Sequence, residues 1–360
     1  MRDWSSLRDF RVVRLNATLF PPSAYETDLY RQYHLSPILA EANTPDDILP
    51  WVADCDALFA ISVSLPAKVV DSLERCRVIS RLGTGTDKIA VNRATEHGIL
   101  VTNVPYFCVE EQADHTLALL LSLARQIPVM SQAMAAGEFG RARSLSRLNQ
   151  RLDGRTIGLV GFGNSARQVA HRAQGFGLRV MATRRNWTAP DPAAQALGVK
   201  LTDLDSVLRA ADYVSLHLPL TPETYHLIDD RALRLMKPGA LLINTSRGAL
   251  VDEAALVLAL REGRLGGAGL DTFETIDVFS PNEAPPVNPL VGMENVILTP
   301  HVAAGSVQSG QAVSRGGIEN VVAILSGHWP LPENIVNRGV VPRFDLQDYA
   351  ETLFETREAV

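Results

Sequence analysis

Short apolar runs separated by helical stretches recur along the chain. In the first third, 11–16 (RVVRLN), 56–62 (DALFAIS), 77–83 (RVISRLG) and 98–104 (GILVTNV) are apolar enough to be strands covered on both faces. Segments 66–76 and 87–98 between them carry helical spacing. Such alternation implies parallel pairing through crossover helices, hence a small α/β domain. A second series of strands follows at 156–160, 178–183, 212–217, 240–244, 267–270 and 295–299, with helices at 204–211 and 253–263. That pattern predicts a doubly wound sheet, which takes ligands beyond the carboxyl ends of its strands. Between the two series lie a long helical segment, 110–137, punctuated by Pro128 and closed by Gly137, and a basic polar stretch, 141–151. A last helix over 311–327 is expected to return to the first domain, and 345–360 reads as an acidic amphipathic helix or a frayed end. The expected division is 1–105 with 305–340, then 106–304, then a tail, 341–360.

The stretch 156–166, TIGLVGFGNSA, carries the strongest single signal. A strand runs into Gly161, which permits a sharp turn. Gly163 lets a pyrophosphate approach the main chain, and Ala166 lets the next helix pack closely on the strand. The next helix starts at this loop, where Asn164 and Ser165 stand as cofactor contacts, so its free N–H groups and positive dipole end face the phosphates. The second strand of the unit ends in Arg184 and Arg185. An acid at this place binds both ribose hydroxyls of NAD, whereas a guanidinium suits a 2′-phosphate. NADP is therefore the preferred cofactor, with NAD possible, and Arg184 is expected to be the principal contact.

Composition narrows the class. A chain of 360 residues is long enough for two cores, and 46% hydrophobic with 21% charged residues describes an ordinary globular protein. A formal net charge of −6 argues against nucleic acid as a partner. No apolar run approaches the ~20 residues that span a bilayer, so no membrane partner is expected. The N-terminus has no apolar signal core. Cys55, Cys76 and Cys108 are scattered, without metal-ligand spacing, so no metal is expected and a cytoplasmic location fits.

Several segments then converge. 81–91 (RLGTGTDKIAV), 103–125, GFGNSA, 215–228 (SLHLPLTPETYHLI), 236–253 (MKPGALLINTSRGALVDE) and 298–304 (LTPHVAA) together resemble the D-isomer-specific 2-hydroxyacid dehydrogenases over about residues 55–337. The C-terminal part is most similar to the phosphoglycerate dehydrogenase-like and C-terminal-binding-protein-like branch. This resemblance implies a Rossmann nucleotide-binding domain inserted into a flavodoxin-like substrate domain. It also implies hydride transfer between a nicotinamide cofactor and a small 2-keto or D-2-hydroxy acid of the phosphoglycerate, glycerate/hydroxypyruvate or glyoxylate type. A homodimer through the nucleotide domain is implied as well.

Residue by residue, the resemblance makes Arg247 the partner of the substrate carboxylate and carbonyl, a task that suits a planar fork of donors. It makes His301 the acid/base, as befits a group titrating near neutrality. Gly83, Thr84 and Gly85 would form an anion-binding nest for the carboxylate. Asp271 would accept from the nicotinamide carboxamide. Thr245, Ser246, His217, Pro219, Ala303 and Ala304 would line the cofactor beside Arg247 and His301. The glutamate that supports the histidine is out of register here, because its usual place is Ile276. Counting back from His301 favours Glu283, and Glu274 is the alternative. Tyr106 and Phe107 are the residues expected to tune specificity. A dinucleotide-sensing interaction protein of the corepressor type, with little or no turnover, is the competing reading, and a formate- or phosphite-type dehydrogenase is a third.

Overall fold

The computed structural model describes residues 4–42, 44–276, 278–279, 287–349 and 354. The chain divides into two compact units, Met1–Phe107 with Ser306–Val360, and Cys108–Gly305.

The first unit is built on five strands, β1 (Val12–Leu15), β2 (Ile38–Ala40), β3 (Ala57–Ala60), β4 (Val78–Arg81) and β5 (Leu100–Thr102). All pair in parallel, in the order β2-β1-β3-β4-β5, which is the flavodoxin-like order. Strands β1 and β3 are buried along their whole length, as their unbroken apolar runs require.

The strand β2 and the helices Ala24–Gln32 and Pro45–Val52 are additions to the sequence reading. The helix Ala24–Gln32 lacks a clean apolar stripe because part of its buried face is polar. Its Glu26 accepts from buried Arg14 of β1 (Nε–Oε1 2.7 Å) and from the Tyr30 hydroxyl (2.6 Å).

The returning helix, Val307–Leu325, packs on this sheet through two glycines. A Cβ at Gly317 would stand 2.0 Å from Leu82 Cδ2, and one at Gly316 would stand 2.9 Å from Val104. The C-terminal stretch is neither a helix nor a loose tail where it is described. Arg343 donates to the carbonyls of Leu73, Glu74 and Cys76, Gln347 bridges to His328, and buried Phe354 stacks on Trp4.

The second unit holds seven parallel strands: β6 (Thr156–Val160), β7 (Arg179–Thr183), β8 (Lys200–Leu201), β9 (Tyr213–Leu216), β10 (Ala240–Asn244), β11 (Leu265–Leu270) and β12 (Val296–Leu298). Their order is β12-β11-β10-β9-β6-β7-β8. The first strand of the unit thus sits between the two halves of the sheet, in the doubly wound Rossmann arrangement, and the topological switch lies between β6 and β9.

The long helical segment is two helices, Val109–Ala124 and Ile127–Ala135, bent by 61°. The bend comes at Gln126, which adopts φ 55°, and Pro128 falls in the first turn of the second helix, where its missing N–H costs no hydrogen bond. The basic stretch is itself helical over Phe139–Leu145.

Candidate active site

At the carboxyl end of β6 the two loop glycines do different work. Gly161 has φ +95°, and a Cβ there would lie 2.1 Å from the carbonyl oxygen of His217. A Cβ on Gly163 would meet nothing within 4 Å, so that position faces open space. The helix Asn164–Gly175 starts there with no side-chain cap, leaving the N–H groups of its first turn to a ligand. Ala166 is fully buried against the sheet. These features fit a dinucleotide pyrophosphate.

Buried His217 forms the wall beside this loop. Its Nε2 lies 2.8 Å from the Ser215 hydroxyl and its Nδ1 3.4 Å from that of Ser165. Burial depresses its pKa to about 4, so the ring is neutral at physiological pH. Pro219 follows, its carbonyl accepting from the Thr224 hydroxyl at 2.8 Å. At the end of β7, Arg184 is turned inward onto Asp191 (2.8 Å) and the carbonyls of Ala189 and Pro190. Its neighbour Arg185 is exposed. This arrangement departs from the expectation that Arg184 makes the principal cofactor contact, because two loop carbonyls and a carboxylate already claim its donors.

The chemistry-bearing residues follow three neighbouring strands. Arg247 lies three residues past β10, Asp271 immediately past β11, and His301 three residues past β12. Adjacent strands lie about 4.8 Å apart, so the chain segments bearing Arg247 and His301 flank Asp271 on one sheet edge. The backbone ties them together, with Asp271 N–H donating to Asn244 O and Thr299 N–H to Leu270 O, both at 2.9 Å. Gly248 brings the β10 and β11 loops into contact, since a Cβ there would fall 1.9 Å from the carbonyl carbon of Phe273.

The Arg247 segment is held from several sides. Asn244 Nδ2 donates to Arg247 O at 2.8 Å, and Arg247 Nη1 donates to Ser246 O at 2.7 Å. The Ser246 hydroxyl donates to Leu216 O (2.7 Å), the Thr245 hydroxyl meets that of Thr116 (3.0 Å), and Gln112 Nε2 donates to Thr245 O (2.8 Å).

His301 adopts φ 57° in a tight turn, its N–H donating to Thr299 O at 3.0 Å. The fully buried carboxylate of Asp271 fixes that turn. It accepts from the Thr299 hydroxyl (2.6 Å), Val302 N–H (2.9 Å) and Ala303 N–H (2.8 Å). Because the Thr299 hydroxyl gives its one proton to Asp271, it accepts from His115 Nε2 at 2.9 Å, so that ring nitrogen carries the proton. The Phe279 ring lies 5.1 Å from the His301 imidazole. Asp271 therefore anchors the loop that carries His301. Thr299 and His115 were not singled out from the sequence. Thr299 stands beside PHVAA, and His115 is one of several polar residues in the first half of the helix Val109–Ala124, so neither carried a distinguishing signal.

Of the two glutamates considered for His301, Glu283 lies outside the described residues. Glu274 is committed elsewhere, since its carboxylate meets His226 Nε2 at 2.9 Å and accepts from the Tyr225 hydroxyl at 3.0 Å.

In the first unit, the loop after β4 is shaped from within. Arg81 donates to the carbonyls of Leu82 and Gly85, and its guanidinium fills the space where a Gly83 side chain would stand. Gly83 N–H donates to Arg81 O (2.9 Å), so it is not available to a ligand, whereas the N–H groups of Thr84 and Gly85 have no acceptor among the described residues. Asn103 holds the loop through Thr84 O (2.7 Å).

The family model of the D-isomer specific 2-hydroxyacid dehydrogenase NAD binding domain matches residues 117–303. The glyoxylate reductase of Korarchaeum cryptofilum is 39% identical over 82% of this chain and 86% of its own. The chain belongs to the D-isomer specific 2-hydroxyacid dehydrogenase family. Within it, the D-3-phosphoglycerate dehydrogenase of Methanocaldococcus jannaschii is 36% identical over 85% of this chain, which spans 56% of that relative. The D-lactate dehydrogenase structure from Aquifex aeolicus, complexed with NAD and lactic acid, superposes with a TM-score of 0.80 at 26% identity, covering 91% of this chain and 99% of that one. Membership makes the protein a 2-hydroxyacid dehydrogenase with a nicotinamide dinucleotide cofactor.

Proposed function

We propose that the protein reduces a small 2-keto acid of the glyoxylate or hydroxypyruvate class to the D-2-hydroxy acid, with NADPH preferred over NADH. The observation that carries the reading is the placement of the Arg247 and His301 segments on either side of Asp271, past three adjoining strands. A bound dihydronicotinamide supplies the hydride.

The chain's own residues do the rest. The Arg247 guanidinium pairs with the carboxylate and polarises the carbonyl oxygen through two parallel donors. The His301 imidazolium gives its proton to the oxygen as the alkoxide forms and takes it back in the oxidation direction. Neutral His217 serves as a wall, not as a second acid. The glyoxylate reductase name of the Korarchaeum relative supports a substrate of this size. Arg184, Arg185 and Arg167 outnumber Asp191 at the end of β7, which favours a coenzyme bearing a 2′-phosphate.

The test is a panel of 2-keto acids with NADPH and with NADH, followed at the nicotinamide absorbance band. Turnover of glyoxylate or hydroxypyruvate, faster with NADPH, is the expected result. Tight coenzyme binding with no turnover of any acid would replace this reading with the cofactor-sensing one. The same proposal includes a homodimer through the second unit, supported by exposed Ile127, Met134, Phe139 and Leu148. Light scattering would check it.

A further inference from the structure

His301 is held through its backbone and through its ring, and different residues do the two jobs. The three bonds to Asp271 come from the Thr299 hydroxyl and the N–H groups of Val302 and Ala303. They fix the turn but do not fix how the imidazole rotates about its side-chain torsions. The imidazole itself meets the ring of Phe279, with centroids 5.1 Å apart and planes inclined by 49°. That separation lies within the range of favourable aromatic pairs, and within reach of the attraction between a cation and a π face.

Phe279 belongs to the segment between β11 and β12, where the chain carries Ile276 in the place expected to hold a glutamate. A different glutamate organises this segment. Glu253, the first residue of the helix Glu253–Arg261, is buried. Its Oε1 accepts the Glu274 N–H at 2.6 Å, and its Oε2 accepts from the Thr275 hydroxyl (2.7 Å) and from Asn288 Nδ2 (3.0 Å). Asn288 Nδ2 also donates to Thr275 Oγ1 at 2.7 Å, and Asn288 Oδ1 accepts the Leu290 N–H at 2.8 Å. Thr275 and Asn288 are 13 positions apart in sequence, so one buried carboxylate closes the segment into a loop with fixed ends. Phe279 follows four residues after the Thr275 end.

We propose that Phe279 is a positioning residue for His301: its ring sets the orientation in which the imidazole meets the substrate oxygen, and Glu253 acts through it by anchoring the loop. The inference rests on the reading of His301 as the acid/base. A benzene ring makes no directed hydrogen bond, so one contact serves both the imidazolium and the neutral ring, and each turnover passes between them. Proton transfer needs heavy atoms about 2.6–3.2 Å apart, so an imidazole that swings away loses rate without losing substrate.

The experiment joins kinetics of the holoenzyme, with glyoxylate or hydroxypyruvate and NADPH, to NMR of carbon-labelled histidine, in which His301→Gln identifies the His301 signal by its loss. Phe279→Ala should lower kcat by about ten-fold, with keto-acid KM and NADPH Kd within about two-fold of wild type. The solvent deuterium isotope effect on kcat should rise, because proton transfer becomes the slower step. Phe279→Tyr should restore most of the rate and Phe279→Leu only a small part, while the His301 signal shifts in the leucine variant as the neighbouring ring is lost. Glu253→Gln turns an acceptor into a donor and should reproduce the loss in kcat. The double variant with Phe279→Ala should be no slower than either single one, since both remove the same support.

Three results overturn the inference while an inactive His301→Gln keeps the acid/base reading intact: kcat of Phe279→Ala within about two-fold of wild type, leucine that rescues as well as tyrosine, or a loss seen only in KM or NADPH Kd. Full activity of His301→Gln, or no turnover of either keto acid by the wild-type protein, overturns that reading and the inference with it. Phe279 is half-buried in a loop, so its variants decide even if Glu253→Gln fails to fold.

Discussion

Ala303 donates its N–H to the buried carboxylate of Asp271 at 2.8 Å, and Val302 does the same at 2.9 Å, so the two residues after His301 are pinned by the group that ends β11. The geometry of the His301 turn therefore depends on a carboxylate from another strand. Removing the Thr299 hydroxyl takes away one of the three bonds to Asp271 and the acceptor of His115. We predict that Thr299→Val lowers kcat by about ten-fold, with coenzyme Kd within two-fold of wild type. Asp271→Asn should cost about a hundred-fold, because an amide cannot accept from three donors in the same geometry. Single-turnover kinetics beside coenzyme titration would check both.

The two loop glycines make opposite predictions. Gly161→Ala puts a Cβ 2.1 Å from a backbone oxygen at φ +95°, and should destabilise the fold by more than about 3 kcal/mol. Gly163→Ala meets nothing within 4 Å, so the melting temperature should hold while NADPH affinity falls by about ten-fold or more. Thermal melts and coenzyme titrations on both variants separate the two roles.

Arg247 tests the substrate chemistry. Replacement by lysine keeps the charge but loses the parallel donors, and kcat/KM for the keto acid should fall by about a hundred-fold. Alanine should cost about a further ten-fold, and guanidinium ion added in solution should restore part of the alanine loss. Loss confined to coenzyme binding would count against a role on the substrate.

His217 sets an acid limit on stability. Its pKa is near 6.5 in the unfolded chain and is lowered to about 4 by burial. Between those values the unfolded chain takes a proton that the folded one refuses, so stability is lost as pH falls from about 6.5 to about 4 and changes no further below. The loss amounts to about 3 kcal/mol. His217→Asn should melt with a smaller difference between pH 7 and pH 5 than wild type.

Strands buried on both faces were legible because nothing competes with an apolar run such as Ala240–Asn244, which occupies the residues its pattern predicts. The short β2 and the helix Ala24–Gln32 were not, because Ile38–Ala40 is three residues long and Glu26 and Tyr30 face the interior through Arg14. In the site, residues within strong motifs could be named in advance. Partners supplied by packing could not: His115 reaches Thr299 across 184 positions of sequence. The Arg184–Asp191 contact shows the same limit at short range, since a guanidinium after a strand reads alike whether it faces a ligand or its own loop.

Trp4 lies against Phe354 with ring centroids 6.2 Å apart, and Tyr33 meets the same ring edge-on at 5.9 Å. The core of the first unit is thus sealed by a residue that follows the whole second unit in sequence, while Cys108–Gly305 is one uninterrupted piece. During synthesis the coenzyme-binding half can finish its architecture while the half translated first still waits for its missing helix and closing aromatic. A nascent chain stalled after Gly305 would hold a complete nucleotide fold tethered to an unfinished one.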